Sequence, residues 1–199
     1  MRNIENVKEL VRINPDYIGF IFYPDSKRFV GDNPDISLFN SIPENIKKVG
    51  VFVNYTKDSI IENTDKYKLD LVQLHGNESS EFCKELKSQI DAKIIKAFSV
   101  DEKFDFQTLN EYKSVCDYFL FDTKTESYGG SGKQFDWNIL TKYDNEIPFI
   151  LSGGIDLEHS KKIRELKNLN IHAIDINSRF EIEPGIKNID KIKQFKNEL

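Results

Sequence analysis

Apolar residues in this chain gather in short, near-continuous runs. Those at 17–22, 49–53, 69–74, 94–98, 118–121, 148–151 and 173–176 are rich in Val, Ile, Leu, Phe and Tyr, and each reads as a strand buried on both faces. Between most of them the apolar spacing shifts to three and four. That spacing predicts helices over 57–67, 80–88, 106–115, 137–143 and 157–166, with two more at 4–13 and 189–198. The segment 32–43, with two prolines and little periodicity, predicts no element.

Buried strands separated by single helices predict an α/β fold whose parallel sheet is either covered on both faces or closed into a barrel. A doubly wound sheet would carry a glycine fingerprint after its first strand. Here that strand runs into Phe22-Tyr-Pro-Asp-Ser-Lys-Arg-Phe29, and the glycines come late instead, after the strands ending at Asp122, Ser152 and Asn177. Late phosphate-binding loops are a habit of the (β/α)8 TIM barrel, so a barrel is expected, with only seven of its eight strands present in this chain.

In a barrel the strand ends converge on one face. Reading them in order gives Lys27 and Arg28, Asn54, Gln73 and His75, Lys96, Asp122, Ser152 with Gly153 and Gly154, and Asp175 with Asn177, Ser178 and Arg179. Asp122 ends the run Tyr118-Phe-Leu-Phe-Asp122 and opens into a glycine-rich loop, which suits a carboxyl that donates a proton, although an acid there also serves as a turn or N-cap residue. His75 reads as a ligand contact or as a strand-end histidine satisfied by backbone. Gly153 and Gly154 precede a helix and could offer amides to a phosphate, or could be a steric requirement of the turn. Arg179, beside Ser178 and with Gly185 nearby, reads either as an anion-binding residue or as a surface arginine, and Arg28 by itself sits in a merely charged loop.

Composition narrows the chemistry. The 199 residues, 39% hydrophobic with 15 Phe and 8 Tyr, suffice for a single domain over 1–199 with a substantial core. A net charge of −5 with intermixed signs argues against a nucleic-acid or anionic-membrane partner. Neither a leader-like apolar segment nor a run of about 20 apolar residues is present, so an untargeted, cytoplasmic protein is expected. Cys83 and Cys116, both in contexts that read as helix, predict no disulfide framework and a reducing compartment. His75, His159 and His172 lack metal-ligand spacing, and no Gly-x-Ser-x-Gly elbow occurs. What remains is acid–base catalysis, with no metal and no cofactor, on a phosphorylated small molecule.

The segments Lys48-Val-Gly-Val-Phe-Val-Asn54, Leu71-Val-Gln-Leu-His-Gly-Asn-Glu78, Ile95-Lys-Ala-Phe98, Phe121-Asp-Thr-Lys124, Tyr128-Gly-Gly-Ser-Gly-Lys133, Phe135-Asp-Trp137, Leu151-Ser-Gly-Gly-Ile155 and Pro184-Gly-Ile-Lys187 together closely resemble phosphoribosylanthranilate isomerase. The resemblance covers nearly the whole chain. It implies a TIM barrel and the cofactor-free Amadori rearrangement of N-(5-phosphoribosyl)anthranilate to 1-(2-carboxyphenylamino)-1-deoxyribulose 5-phosphate in tryptophan biosynthesis. It further implies that Asp122 protonates the furanose oxygen and that a cysteine ending the family's first strand takes the C2 proton. Arg28 would face the anthranilate carboxylate, Gly153, Gly154 and Ser178 would hold the phosphate, Gln73, His75 and Asp175 would line the site, and the 128–133 glycines would form a lid. A relative of indole-glycerol-phosphate synthase would match only the phosphate loops. The sequence gives no oligomeric state.

Two departures from the family stand out. Arg179 replaces a glycine common in relatives, and Met1-Arg-Asn3 matches residues just after the family's first strand and its Cys-Gly pair. Cys116 does not replace that cysteine, because six residues of strand would put it roughly 20 Å from Asp122. Cys83 belongs to a helix outside the barrel. An alternative reading is therefore a catalytically inactive remnant that binds the phosphorylated ligand, with exposed edges on the strands at 17–22 and 173–176 that favour instability or association. The expectation is that translation begins at an internal methionine, so that in-frame codons upstream encode an apolar strand ending in Cys-Gly. A stop codon immediately upstream contradicts it.

Overall fold

The computed structural model describes residues 1–123 and 136–199. Seven strands, β1 (Tyr17–Ile21), β2 (Lys47–Phe52), β3 (Leu71–Leu74), β4 (Lys93–Val100), β5 (Tyr118–Thr123), β6 (Phe149–Leu151) and β7 (Ile171–Ile174), form one sheet in sequence order. Each neighbouring pair is parallel. Each overlaps the apolar run that predicts it, with β2 and β7 each beginning two residues before its run, as expected of strands covered on both faces.

The helices are α1 (Ile4–Val11), which precedes β1, α2 (Ile36–Asn40), α3 (Lys57–Tyr67), α4 (Ser80–Lys87) and α5 (Ser160–Glu165) in the crossovers, and α6 (Ile189–Glu198) after the last strand. Thr56, Ser79 and Asn188 cap α3, α4 and α6 by accepting a backbone N–H with the side chain, which is why those three begin where they do. The segments 106–115 and 137–143 form 3-10 helices, Phe106–Tyr112 and Trp137–Lys142, instead of the α-helices their spacing suggests. Aromatic, Thr and Asn residues make weak helix formers there. Helix α2 has five residues, too few for periodicity to reveal. Cys116 lies in the coil leading into β5, not in a helix. A small antiparallel hairpin, β8 (Glu181–Glu183) with β9 (Ile186–Lys187), escapes the sequence pattern altogether, and Gly185 supplies its φ of 88°.

Side chains alternate along each strand. On β5, Phe119 and Phe121 face the helices and join an aromatic layer in which Phe119 lies 5.3 Å from Phe98, and Phe121 lies 5.3 Å from Tyr143 and 5.0 Å from Phe149. Tyr118 and Leu120 face the other way, into a small inner core with Val49, Leu71, Ile95, Ala97 and Ile150. Asp122 continues that inward series by two residues.

The sheet curls but does not close: among the described residues no ladder joins β7 to β1. Tyr17 Oη and His172 Nε2 bridge the two strands at 2.6 Å, and Tyr118 stacks on His172 at 4.2 Å. Met1 is buried against the same opening, and its amine donates to Gly19 O at 2.8 Å. Burial, with the Lys187 charge nearby, pushes that amine down to about 5.

Phe119 is fully buried. Phe119→Ala should cost about 3–5 kcal/mol in urea-denaturation stability. A loss below about 1 kcal/mol would show that the aromatic layer is not part of the core.

Candidate active site

The C-terminal ends of the strands open onto a cavity of about 250 Å³. Its lining includes Arg28, Gln73, His75, Asp122, Ser152, Gly153, Gly154, Asp175 and Ser178, over a floor containing Ile95, Leu120 and Ile150. The alternation of β3, β5, β6 and β7 explains the convergence: Gln73 and His75 extend the inward series of Leu71, Ser152 that of Ile150, and Asp175 that of Ala173.

Asp122 and His75 face each other, with Oδ2 3.6 Å from Nε2. Gln73 Nε2 lies 2.7 Å from His75 Nδ1. An amide nitrogen only donates, so Nδ1 accepts and a neutral His75 carries its proton on Nε2, toward Asp122. Asp122 Oδ1 accepts the Thr123 N–H at 2.8 Å, which fixes the carboxyl plane. Gly153 has φ 90° and Gly154 φ 65°. A Cβ on Gly153 would stand 2.3 Å from Thr123 Oγ1 and 2.9 Å from Asp122 Oδ1, so the loop after β6 packs on the acid only because that residue has no side chain.

Across the cavity, Asp175 Oδ2 accepts the Ser152 hydroxyl at 3.0 Å. Burial pushes the Asp175 carboxyl up and the Asp122 charge adds to it, outweighing Lys187, Ser152 and His75, which act downward. At the rim, Arg28 grips Glu181: Nε donates at 3.0 and 2.9 Å and Nη2 at 2.6 Å. Lys187 Nζ reaches Glu181 at 3.3 Å, Asn177 Oδ1 at 2.9 Å and the Ile176 carbonyl at 3.3 Å. Glu181 and the charge of Lys187 are the parts that sequence reasoning missed. Their only local signal is the Pro184-Gly185 turn between polar, alternating residues.

Other strand-end candidates lie elsewhere. Arg179 is exposed and outside the cavity lining, its carbonyl accepting from Lys191 Nζ at 2.8 Å. Lys27 and Asn54 are also exposed. Lys96 is buried on the outer side of the sheet, where it pairs with Glu78 at 3.3 Å and donates to the carbonyls of Leu74, Gly76 and Ala97. Neither cysteine lines the cavity. The hydrogen bond to Cys83, with burial, pushes the Cys116 thiol up. The proposed lid at 128–133, with Lys124 and Phe135, lies outside the described residues. Among the described residues no cluster of three or more His, Cys, Asp or Glu is placed to hold a metal, and no helix is long and apolar enough to cross a membrane.

Comparison with known proteins gives a consistent result. A family model described as N-(5'phosphoribosyl)anthranilate (PRA) isomerase matches residues 1–198. An N-(5'-phosphoribosyl)anthranilate isomerase of Parabacteroides distasonis is 50% identical over 196 residues, covering 98% of this chain and 88% of the relative. The crystal structure of phosphoribosyl anthranilate isomerase from Thermotoga maritima superposes with a TM-score of 0.88 at 33% identity, covering 100% of this chain and 94% of that one. Another solved phosphoribosyl anthranilate isomerase, in complex with reduced 1-(o-carboxyphenylamino)-1-deoxyribulose 5-phosphate, gives a TM-score of 0.85 at 29% identity, with the same coverage.

The raised Asp175 carboxyl has a consequence for stability. In the fold it keeps its proton to higher pH than in the unfolded chain, where its value is about 4. Its contribution is complete below that value and is lost as pH rises through the folded value. Asp175→Asn should therefore gain stability relative to wild type as pH increases from about 4 to 8. Urea midpoints that run parallel for the two proteins over this range contradict the assignment.

Proposed function

The chain belongs to the N-(5'-phosphoribosyl)anthranilate isomerase family, and we propose that the cavity above β3, β5, β6 and β7 carries out that isomerisation with Asp122 as its acid. The chain is an isomerase of tryptophan biosynthesis. The observation that carries the site assignment is the meeting of Asp122, His75, Arg28 and the Gly153-Gly154 turn in one cavity.

In this reading Asp122 gives a proton to the furanose ring oxygen, the ring C–O bond breaks, and the nitrogen lone pair forms a Schiff base. Transfer of the C2 proton to a base then gives an enolamine, which takes up a proton at C1 as its C2 hydroxyl gives up its own proton and becomes the ketone. His75, with Nε2–H facing Asp122, keeps a proton within reach of the spent carboxylate. The resemblance assigns the C2 base to a cysteine of the family's first strand, a role that neither Cys83 nor Cys116 fills from its position off the cavity. Backbone amides at Gly153 and Gly154, with Ser178, receive the phosphate, where positive-φ turns let a ligand approach the main chain. Arg28 receives the aromatic carboxylate.

Residues 1–199 are read as belonging to a single domain that binds this phosphorylated substrate. Cys83 and Cys116 are free thiols, which supports a reducing, cytoplasmic setting.

Turnover of phosphoribosylanthranilate, followed by loss of its fluorescence, tests the acid. Made in the chain extended at its N-terminus by the expected strand and Cys-Gly pair, Asp122→Asn should lower kcat by roughly 10²- to 10⁴-fold. Near-normal turnover in that variant refutes the role.

A further inference from the structure

We infer that Glu181 is the positioning residue for Arg28: it occupies the Nε/Nη2 edge of the guanidinium and so leaves the Nη1/Nη2 edge, at the cavity, for a substrate carboxylate. This inference rests on the reading of Arg28 given above.

A guanidinium presents five N–H donors in a rigid plane, with room for a carboxylate on each of two edges. Both oxygens of Glu181 lie on the Nε/Nη2 edge, at 2.6 to 3.0 Å. Nη1 has no hydrogen-bond partner among the described residues, although Arg28 lines the cavity. The pair is well removed from water, with side-chain exposures of 13% for Arg28 and 4% for Glu181. At such burial the geometry is held rather than sampled.

Glu181 is itself fixed. The Gly185 N–H donates to Oε1 at 3.1 Å, and Lys187 Nζ approaches the same oxygen at 3.3 Å. Burial pushes the Glu181 carboxyl up, but the hydrogen bonds from Arg28 and Gly185 and the charge of Lys187 outweigh it and hold it below its ordinary value. The carboxylate therefore stays charged. Lys187 in turn binds the Ile176 and Asn177 carbonyls and Asn177 Oδ1, one residue before Ser178. A chain of contacts thus runs from the carboxylate end of the cavity to its phosphate end. Two cations, Arg28 and Lys187, share one anion, Glu181, and a substrate carboxylate supplies the second.

An ion pair that merely held the fold would not care what the ligand carries. The test measures calorimetric binding of reduced 1-(o-carboxyphenylamino)-1-deoxyribulose 5-phosphate and of the phenylamino analogue lacking the carboxylate. Wild type should prefer the carboxylated probe. Glu181→Gln should weaken that probe by about tenfold while leaving the analogue within about twofold, and should add nothing further in an Arg28→Met background. If Glu181→Gln does not fold, Glu181→Asp is the second variant. The shorter carboxylate cannot span Nε and Nη2 from the same backbone position, so the same selective loss is expected. Equal losses on both probes, or additive effects in the double variant, overturn the inference alone. Failure of wild type to bind either probe overturns the reading of the cavity and the inference with it.

Discussion

The two-residue period of side chains along a parallel strand is the constraint on which the rest of this structure depends. Because β5 points Tyr118 and Leu120 inward, it must also point Asp122 inward, just where the strand runs out of inner core. The same parity carries Gln73 and His75 on β3, Ser152 after β6 and Asp175 after β7 to one mouth. No loop has to reach across the molecule to assemble the acid, its histidine partner and the diglycine turn. Sliding one strand by a single residue would send its functional group into the helix layer.

Buried charge does the remaining positioning. Lys96 and Glu78 lie beneath the loop after β3, where the Gly76 N–H groups with both Glu78 oxygens and Lys96 with the Gly76 carbonyl. Arg28, Glu181 and Lys187 perform the matching role on the opposite rim. Removing one member of such a buried pair costs about 3–5 kcal/mol, because the partner is left charged and out of water. These networks hold loops that carry function, at a desolvation cost that an apolar packing would avoid.

Much of this was legible in the residues. The seven buried runs found the seven strands of the parallel sheet, and strand-end chemistry found Asp122, His75, Gln73, Asp175, Ser178, Arg28 and the diglycine turn, all of which line the cavity. Lys96 shows how such reading fails. It reads as a strand-end residue like the others, yet it lies within β4, one residue out of phase with Ile95 and Ala97, and so faces the helices. Arg179 has the right neighbours in sequence, but the short 3-10 turn Ser178–Phe180 leaves it exposed. Glu181 was illegible for a different reason. Its partner Arg28 is 153 residues away, and no local pattern announces a contact between a loop near one end of the chain and a hairpin strand near the other.

The central claim is that strand parity gathers one oriented site from distant segments. A crystal structure of the protein with reduced 1-(o-carboxyphenylamino)-1-deoxyribulose 5-phosphate tests it most directly. The account predicts the phosphate on the amides of Gly153 and Gly154 beside Ser178, the sugar chain against Asp122, and the aromatic carboxylate on the free edge of Arg28. A ligand bound in the reverse sense, with its phosphate at Arg28, or one bound away from Asp122, contradicts it.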